Sequence, residues 1–149
     1  MTLATDTSDR EIVSTRVLRF PPDKVFRAIA EPQRIARWWG PAGFRNTIAS
    51  FDFRAGGEWV FTMHGPEGKD YPNHPRFETI EAPRTVVLRH LNAPHFRLFM
   101  LLDAEGGGTR LQWRQVFDDA RVREQLASIC VPANEQNFDR LEAELASHP

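Results

Sequence analysis

Near the C-terminus, apolar residues recur at Val122, Leu126, Ile129 and Ala133, and again at Phe138, Leu141 and Leu145. Arg121, Arg123, Glu124, Asp139, Arg140, Glu142 and Glu144 take the other face. Steps of three and four are the period of an amphipathic helix, so residues 118–147 read as one long helix. Asp118-Asp119 is its candidate N-cap pair. The stripe slips by one residue at Val131-Pro132. A proline there lacks an N–H and clashes with the preceding turn, which predicts a kink or break, with Pro132 opening a second segment.

Upstream the period changes to two. Residues 58–64 alternate, with Trp59, Phe61 and Met63 on one side and Glu58, Thr62 and His64 on the other; this marks a half-buried strand. Further strands are predicted over residues 11–20, 44–53, 76–81, 85–91, 95–103 and 109–117. In the first of these both faces carry apolar residues, so the inward face is left open. A slip near Ala49-Ser50 predicts a bulge. Ala55-Gly56-Gly57 and Glu105-Gly106-Gly107-Gly108 predict tight turns. Two prolines make residues 71–75 irregular or an edge. After the first strand, Pro22 or Asp23 starts a short helix through Val25, Phe26 and Ile29. Glu31-Pro32 breaks it, and a second short helix carries Ile35 to Trp38 before Gly40-Pro41 stops it. Short turns between strands imply antiparallel pairing. The expected fold is α+β: a curved antiparallel sheet of about seven strands wrapped around the long C-terminal helix. Residues 1–9 lack periodicity and are expected to be a flexible end. Residues 10–147 form a single domain.

Composition narrows the function. The chain has 149 residues, with 19 Lys and Arg against 20 Asp and Glu, a formal net charge of −1. That balance gives no global electrostatic case for nucleic acid or an anionic membrane. Cys130 is the single cysteine, which excludes an internal disulfide and suits a reducing compartment. There is no signal-peptide core or long apolar run, so the expected location is the cytoplasm. His64, His74 and His95 show no metal-ligand spacing. No phosphate loop, dinucleotide fingerprint or nucleophile elbow occurs, so no metal or cofactor is expected. Eleven Phe and four Trp stand against one Tyr. Wide aromatic side chains fill a core or line a cavity.

Several stretches resemble a known family in order along the chain. They are Arg16, residues 21–28 (Pro-Pro-Asp-Lys-Val-Phe-Arg-Ala), Trp38-Trp39-Gly40-Pro41, residues 53–59 (Phe-Arg-Ala-Gly-Gly-Glu-Trp), residues 66–73 (Pro-Glu-Gly-Lys-Asp-Tyr-Pro-Asn) and Phe138-Asp139-Arg140-Leu141. Over roughly residues 10 to 147 the chain resembles the helix-grip, START-like (SRPBCC) superfamily. That superfamily includes the birch-pollen allergen type, polyketide cyclases and lipid-transfer domains. The local matches look like its branch named for the activator of the heat-shock chaperone ATPase. The resemblance implies the helix-grip fold and a hydrophobic ligand between sheet and helix, with catalysis there in some members. Many members carry Gly-Trp on the last helix where this chain has Ala133-Asn134, so an aromatic wall there would be small and polar here. The co-chaperone has a separate chaperone-binding domain for which this chain is expected to be too short.

Alternation places Trp59, Phe61, Met63, Phe77, Met100 and Trp113 on the inward face. A filled core is one reading. The other is a cavity capped by Trp38 and Trp39, whose candidate ligand-binding residues are Trp38, Trp39, Trp59, Phe61, Met63, Phe77, His90, Met100, Trp113, Asn134 and Phe138. His90 points inward by alternation with Val86 and Leu88. It is the candidate catalytic residue, able to orient a carbonyl or move a proton near neutral pH; the competing reading is a core histidine bonded to backbone. Asn134 and Gln115 are expected to converge with it. Cys130 reads as a buried, inert thiol. The preferred function is binding of a small hydrophobic or aromatic molecule. The alternatives are a cyclase-like acid–base enzyme and a protein-interaction module. On the outer sheet face, Phe99 and Leu101 beside Arg97 predict a homodimer. A register shifted by one residue would bury them instead.

Overall fold

The computed structural model describes residues 7–148. Its first strand, β1 (Glu11–Leu18), is followed by α1 (Pro22–Ala30) and α2 (Pro32–Trp38). Seven further strands follow: β2 (Arg45–Phe51), β3 (Trp59–His64), β4 (Asp70–Asn73), β5 (Pro75–Glu81), β6 (Thr85–His90), β7 (Phe96–Glu105) and β8 (Gly108–Phe117). The last element is α3 (Ala120–Ser147). The fold is α+β as expected, with eight strands rather than about seven, because the proline-containing stretch pairs as edge strand β4. Five strands run in the order β1-β8-β7-β6-β5 and three in the order β2-β3-β4, all antiparallel. The two sheets join where Gly56 N donates to Phe77 O and Phe77 N to Gly57 O.

Of the expected flexible end, residues 1–6 lie outside the described residues. Ser8–Arg10 form a short 3-10 turn, tied to β1 by a hydrogen bond from Thr7 Oγ1 to Glu11 Oε2.

Strand β1 buries one face and exposes the other. Ile12, Ser14 and Leu18 face the core, while Val13 and Val17 are 48% and 52% exposed. In β7 the inward residues are Leu98, Met100 and Leu102, all buried, so the register is not shifted. The bulge falls between Ile48 and Ser50. The β7–β8 turn uses Gly106 and Gly107, both with positive φ (55° and 85°), a conformation that suits a two-residue hairpin and costs glycine little.

Both short helices begin on proline at the first turn, where a missing N–H is harmless. Val25, Phe26 and Ile29 of α1 and Ile35 and Trp38 of α2 are buried. Trp38 is wholly buried and its indole N–H donates to Ala28 O.

Helix α3 begins as expected at an aspartate. Asp119 is the N-cap and accepts from Arg121 N at 2.8 Å, while Asp118 pairs with Arg89. The predicted break at Val131-Pro132 does not occur: the helix runs unbroken over 28 residues with Pro132 inside. Pro132 and Ser128, the residue whose carbonyl loses its donor, both lie on the exposed face. Water can take that carbonyl, so the cost of the proline is lowered there.

Burial along α3 is unequal, and this asymmetry creates the site. Every buried residue of the helix lies at or after Asn134: Asn134, Asn137, Phe138, Leu141, Glu144 and Leu145. The second half packs into the core. In the first half Val122, Leu126 and Ala133 are half-buried and Ile129 is 63% exposed. The first half therefore stands off the sheet.

Candidate functional site

Under the stand-off half of α3 lies a cavity of about 610 Å³, within the usual range for small-molecule sites. Its sheet wall is Phe61 and Met63 of β3, Leu88 and His90 of β6, and Phe96 and Leu98 of β7. Ile129 and Ala133 of α3 form the helix side. Trp39, Pro41 and Phe44 close one end, and β4 with Asn92, Ala93 and Pro94 supplies the rim. Tyr71 of β4 and Ile129 are both exposed at the mouth. The lining is mostly apolar, with a few polar groups gathered on one side.

The structure divides the residues expected to bind a ligand. Trp39, Phe61, Met63 and His90 line the cavity. Trp38, Trp59, Phe77, Met100, Trp113 and Phe138 lie outside that lining and fill the core, each 3% exposed or less. Their rings pack against one another: Trp59 and Phe77 lie 6.2 Å apart, Trp38 and Trp113 6.2 Å, and Trp113 and Phe138 5.7 Å. Trp39 is the joint between core and cavity, with its ring 4.9 Å from Trp59. Alternation reports which face points inward but not how far the opposing helix stands away. It therefore cannot separate a residue that lines from one that fills.

Asn134 and Gln115 do not converge on His90. Asn134 Nδ2 donates to Gln115 Oε1 at 2.9 Å and to Ser14 Oγ at 3.3 Å. This buried polar knot fastens the middle of α3 to β1 and β8. Cys130 is half-buried beside it. Burial pushes its thiol up, against a smaller opposing effect of Gln115, so at neutral pH it is the poorly nucleophilic protonated form.

His90 sits where the two sheets approach at the rim. Its Nδ1 lies 2.7 Å from Asn92 O and 2.8 Å from Pro94 O, and its Nε2 lies 2.8 Å from Asn73 Oδ1. The ring stacks on Phe96 at 4.7 Å. Burial pushes its pKa below the ordinary histidine value; the Pro94 and Asn92 carbonyls oppose this, and nearby His95 adds to it. The imidazole is therefore neutral at neutral pH.

Pattern reading missed one residue that shapes the site, Arg140. Its Nη1 donates to the carbonyls of Trp39, Gly40 and Pro41, and its Nη2 to those of Arg37 and Phe44. Among the described residues, no carboxylate pairs with it. One guanidinium thus gathers carbonyls from the end of α2 and from the loop that follows it, and holds the segment that carries Trp39. Gly40 beneath it has φ +97°, and a Cβ there would meet Met63 Cε at 2.7 Å. Only its place in the Phe138-Asp139-Arg140-Leu141 motif could have pointed to it. Asn137 adds a bond to Trp38 O at 2.7 Å. Below, buried Glu144 is held by Arg34 and Arg37 at 3.1 and 2.7 Å.

On the outer sheet face Phe99 and Leu101 are half-buried, and Arg114 covers the Phe99 ring at 5.0 Å. Among the described residues, no helix is long and apolar enough to cross a membrane.

Comparisons with known proteins agree with this architecture. A Mycobacterium smegmatis protein superposes with a TM-score of 0.86 at 19% identity, covering 97% of this chain and 96% of that one. A Nitrosomonas europaea protein gives 0.85 at 20% identity, covering 95% and 97%. An AHSA1 protein from Silicibacter pomeroyi gives 0.73 at 17% identity, covering 93% and 99%. At these identities the likeness is one of fold. No curated protein matched the sequence. The fold is one used by ligand-binding and interaction modules, and a model of the family described as Activator of Hsp90 ATPase homolog 1-like protein matches residues 19–146. The chain belongs to that family.

Proposed function

We propose that this protein binds a small, largely apolar or aromatic molecule between its sheet and the first half of α3. The observation that carries this reading is the cavity of about 610 Å³ walled by Phe61, Met63, Leu88, Leu98 and Ala133. Covering apolar walls that otherwise face water at an open cleft is favourable, and Met63 provides an adaptable wall. The single cysteine suits a cytoplasmic setting. Native mass spectrometry of freshly purified protein, followed by titration with an environment-sensitive hydrophobic dye, tests the reading. A co-purified ligand or saturable dye binding is expected, with Trp39 emission responding. Ala133→Trp, which fills the cavity from the helix side, is expected to abolish it. Dye binding that survives Ala133→Trp unchanged, or no binding by the parent, overturns the proposal.

A cyclase-like enzyme is the second reading, supported by His90 in the cavity wall. A positioned acid or base is worth about 10²–10⁴-fold in rate. Turnover of a ligand found by mass spectrometry, lost in His90→Phe with the fold retained, would favour it.

A further inference from the structure

The oxygen atoms around His90 cannot all be satisfied by a neutral ring. Two carbonyls, of Asn92 and Pro94, face Nδ1 at 2.7 and 2.8 Å, so Nδ1 must carry the proton. A neutral ring then has a bare lone pair on Nε2. That lone pair faces Asn73 Oδ1 at 2.8 Å, while Asn73 Nδ2 donates to Tyr71 O at 2.9 Å. Turning the Asn73 carboxamide over does not help. Its Nδ2 would then donate to Nε2, but its Oδ1 would meet the Tyr71 carbonyl. The other tautomer leaves Nδ1 bare against two carbonyls. Only the imidazolium closes the network, and burial, with no carboxylate in contact among the described residues, opposes that charge. His90 and Asn73 both line the cavity.

We propose that the cavity selects apolar ligands bearing a hydroxyl or N–H donor, which hydrogen-bonds to Nε2 of His90 between the imidazole and Asn73. This rests on the binding reading above and names the ligand class. A donor there replaces a repulsive pair of acceptors with a hydrogen bond to the ring. Asn73 keeps its bond to Tyr71 O, and because its Oδ1 lies 2.8 Å from Nε2 the same donor is shared by both acceptors. A ligand carboxylate would add another acceptor beside Asn73 Oδ1 and the Asp70 carboxylate, which also lines the rim. An ether oxygen supplies no donor.

Calorimetric titration near neutral pH with naphthol, methoxynaphthalene and naphthoate, substituted at the same ring position, tests the proposal. Naphthol is expected to bind about tenfold tighter than the ether, the worth of one well-formed hydrogen bond, and naphthoate weakest. In His90→Phe the naphthol preference over the ether is expected to vanish. In the unmodified protein, the ring nitrogen resonance of His90 Nε2 should move on adding naphthol and stay still with the ether, a readout that does not depend on the variant folding. Equal affinity for naphthol and the ether, or an unmoved Nε2 resonance, overturns the donor selection and leaves cavity binding standing. Failure of all three to bind overturns the binding reading and this inference together.

Discussion

Arg140→Met removes the guanidinium and keeps an aliphatic stem. The parent side chain donates to five carbonyls at 2.8–3.1 Å. A hydrogen bond to a charged group is worth about 1.5–3 kcal/mol. Simple addition would give about 7–15 kcal/mol, as much as a whole domain's stability, so the contacts cannot be counted at face value. Three of the five share Nη1, which has two hydrogens, so four bonds at most are well formed at once. The one to Arg37 O is exposed, and water replaces it. About three partly buried bonds remain, and burial already penalises this charge, pulling its pKa below the ordinary arginine value. Removing it refunds part of that cost. The expected net loss is about 2–4 kcal/mol. Urea unfolding should show a lower midpoint with an unchanged slope. Because Arg140 holds the segment carrying Trp39, dye affinity at the cavity should fall in the same variant. A loss under about 1 kcal/mol with binding unchanged would refute the clamp.

Glu144→Ala should cost about 3–5 kcal/mol by thermal unfolding, because Arg34 is left as a buried charge without its carboxylate; a loss below 1 kcal/mol, the scale of an exposed pair, would count against it. The Arg114 hydrogen bonds hold the Glu11 carboxyl down at about 2, against the opposing effect of burial. A carboxyl depressed in the folded state stabilises above its unfolded value and loses that contribution as pH falls through the folded one. Stability should therefore decline between the ordinary glutamate value of 4.5 and about 2, and Glu11→Gln should flatten that part of the acid limb; an unchanged limb would refute the assignment. The homodimer through Phe99 and Leu101 is a proposal that light scattering decides: a monomeric parent ends it, and a dimeric parent should dissociate in Phe99→Glu.

Some of this protein was legible in its sequence because a period of two or 3.6 encodes which face of an element is buried. Leu98, Met100 and Leu102 turn inward in β7, Asp119 caps α3, and the β2 bulge falls at the slip. Trp39, Phe61, Met63 and His90 were each readable as inward residues near one site. Other features depend on distances between elements, which no local pattern contains. β1 carries apolar residues on both faces, and only docking against α3 and β8 chose Ile12, Ser14 and Leu18. Pro132 stays helical because its lost bond falls on the solvent side. Asn134 turns to Gln115 and Ser14, since that is where the helix meets β1 and β8. Trp38, Trp59 and Trp113 fill the core because the second half of α3 packs tightly there, and the cavity exists because the first half does not. Alternation turned Trp59, Phe61, Phe77 and Trp113 inward alike; the separation between sheet and helix decided that Phe61 lines the cavity and the other three fill the core.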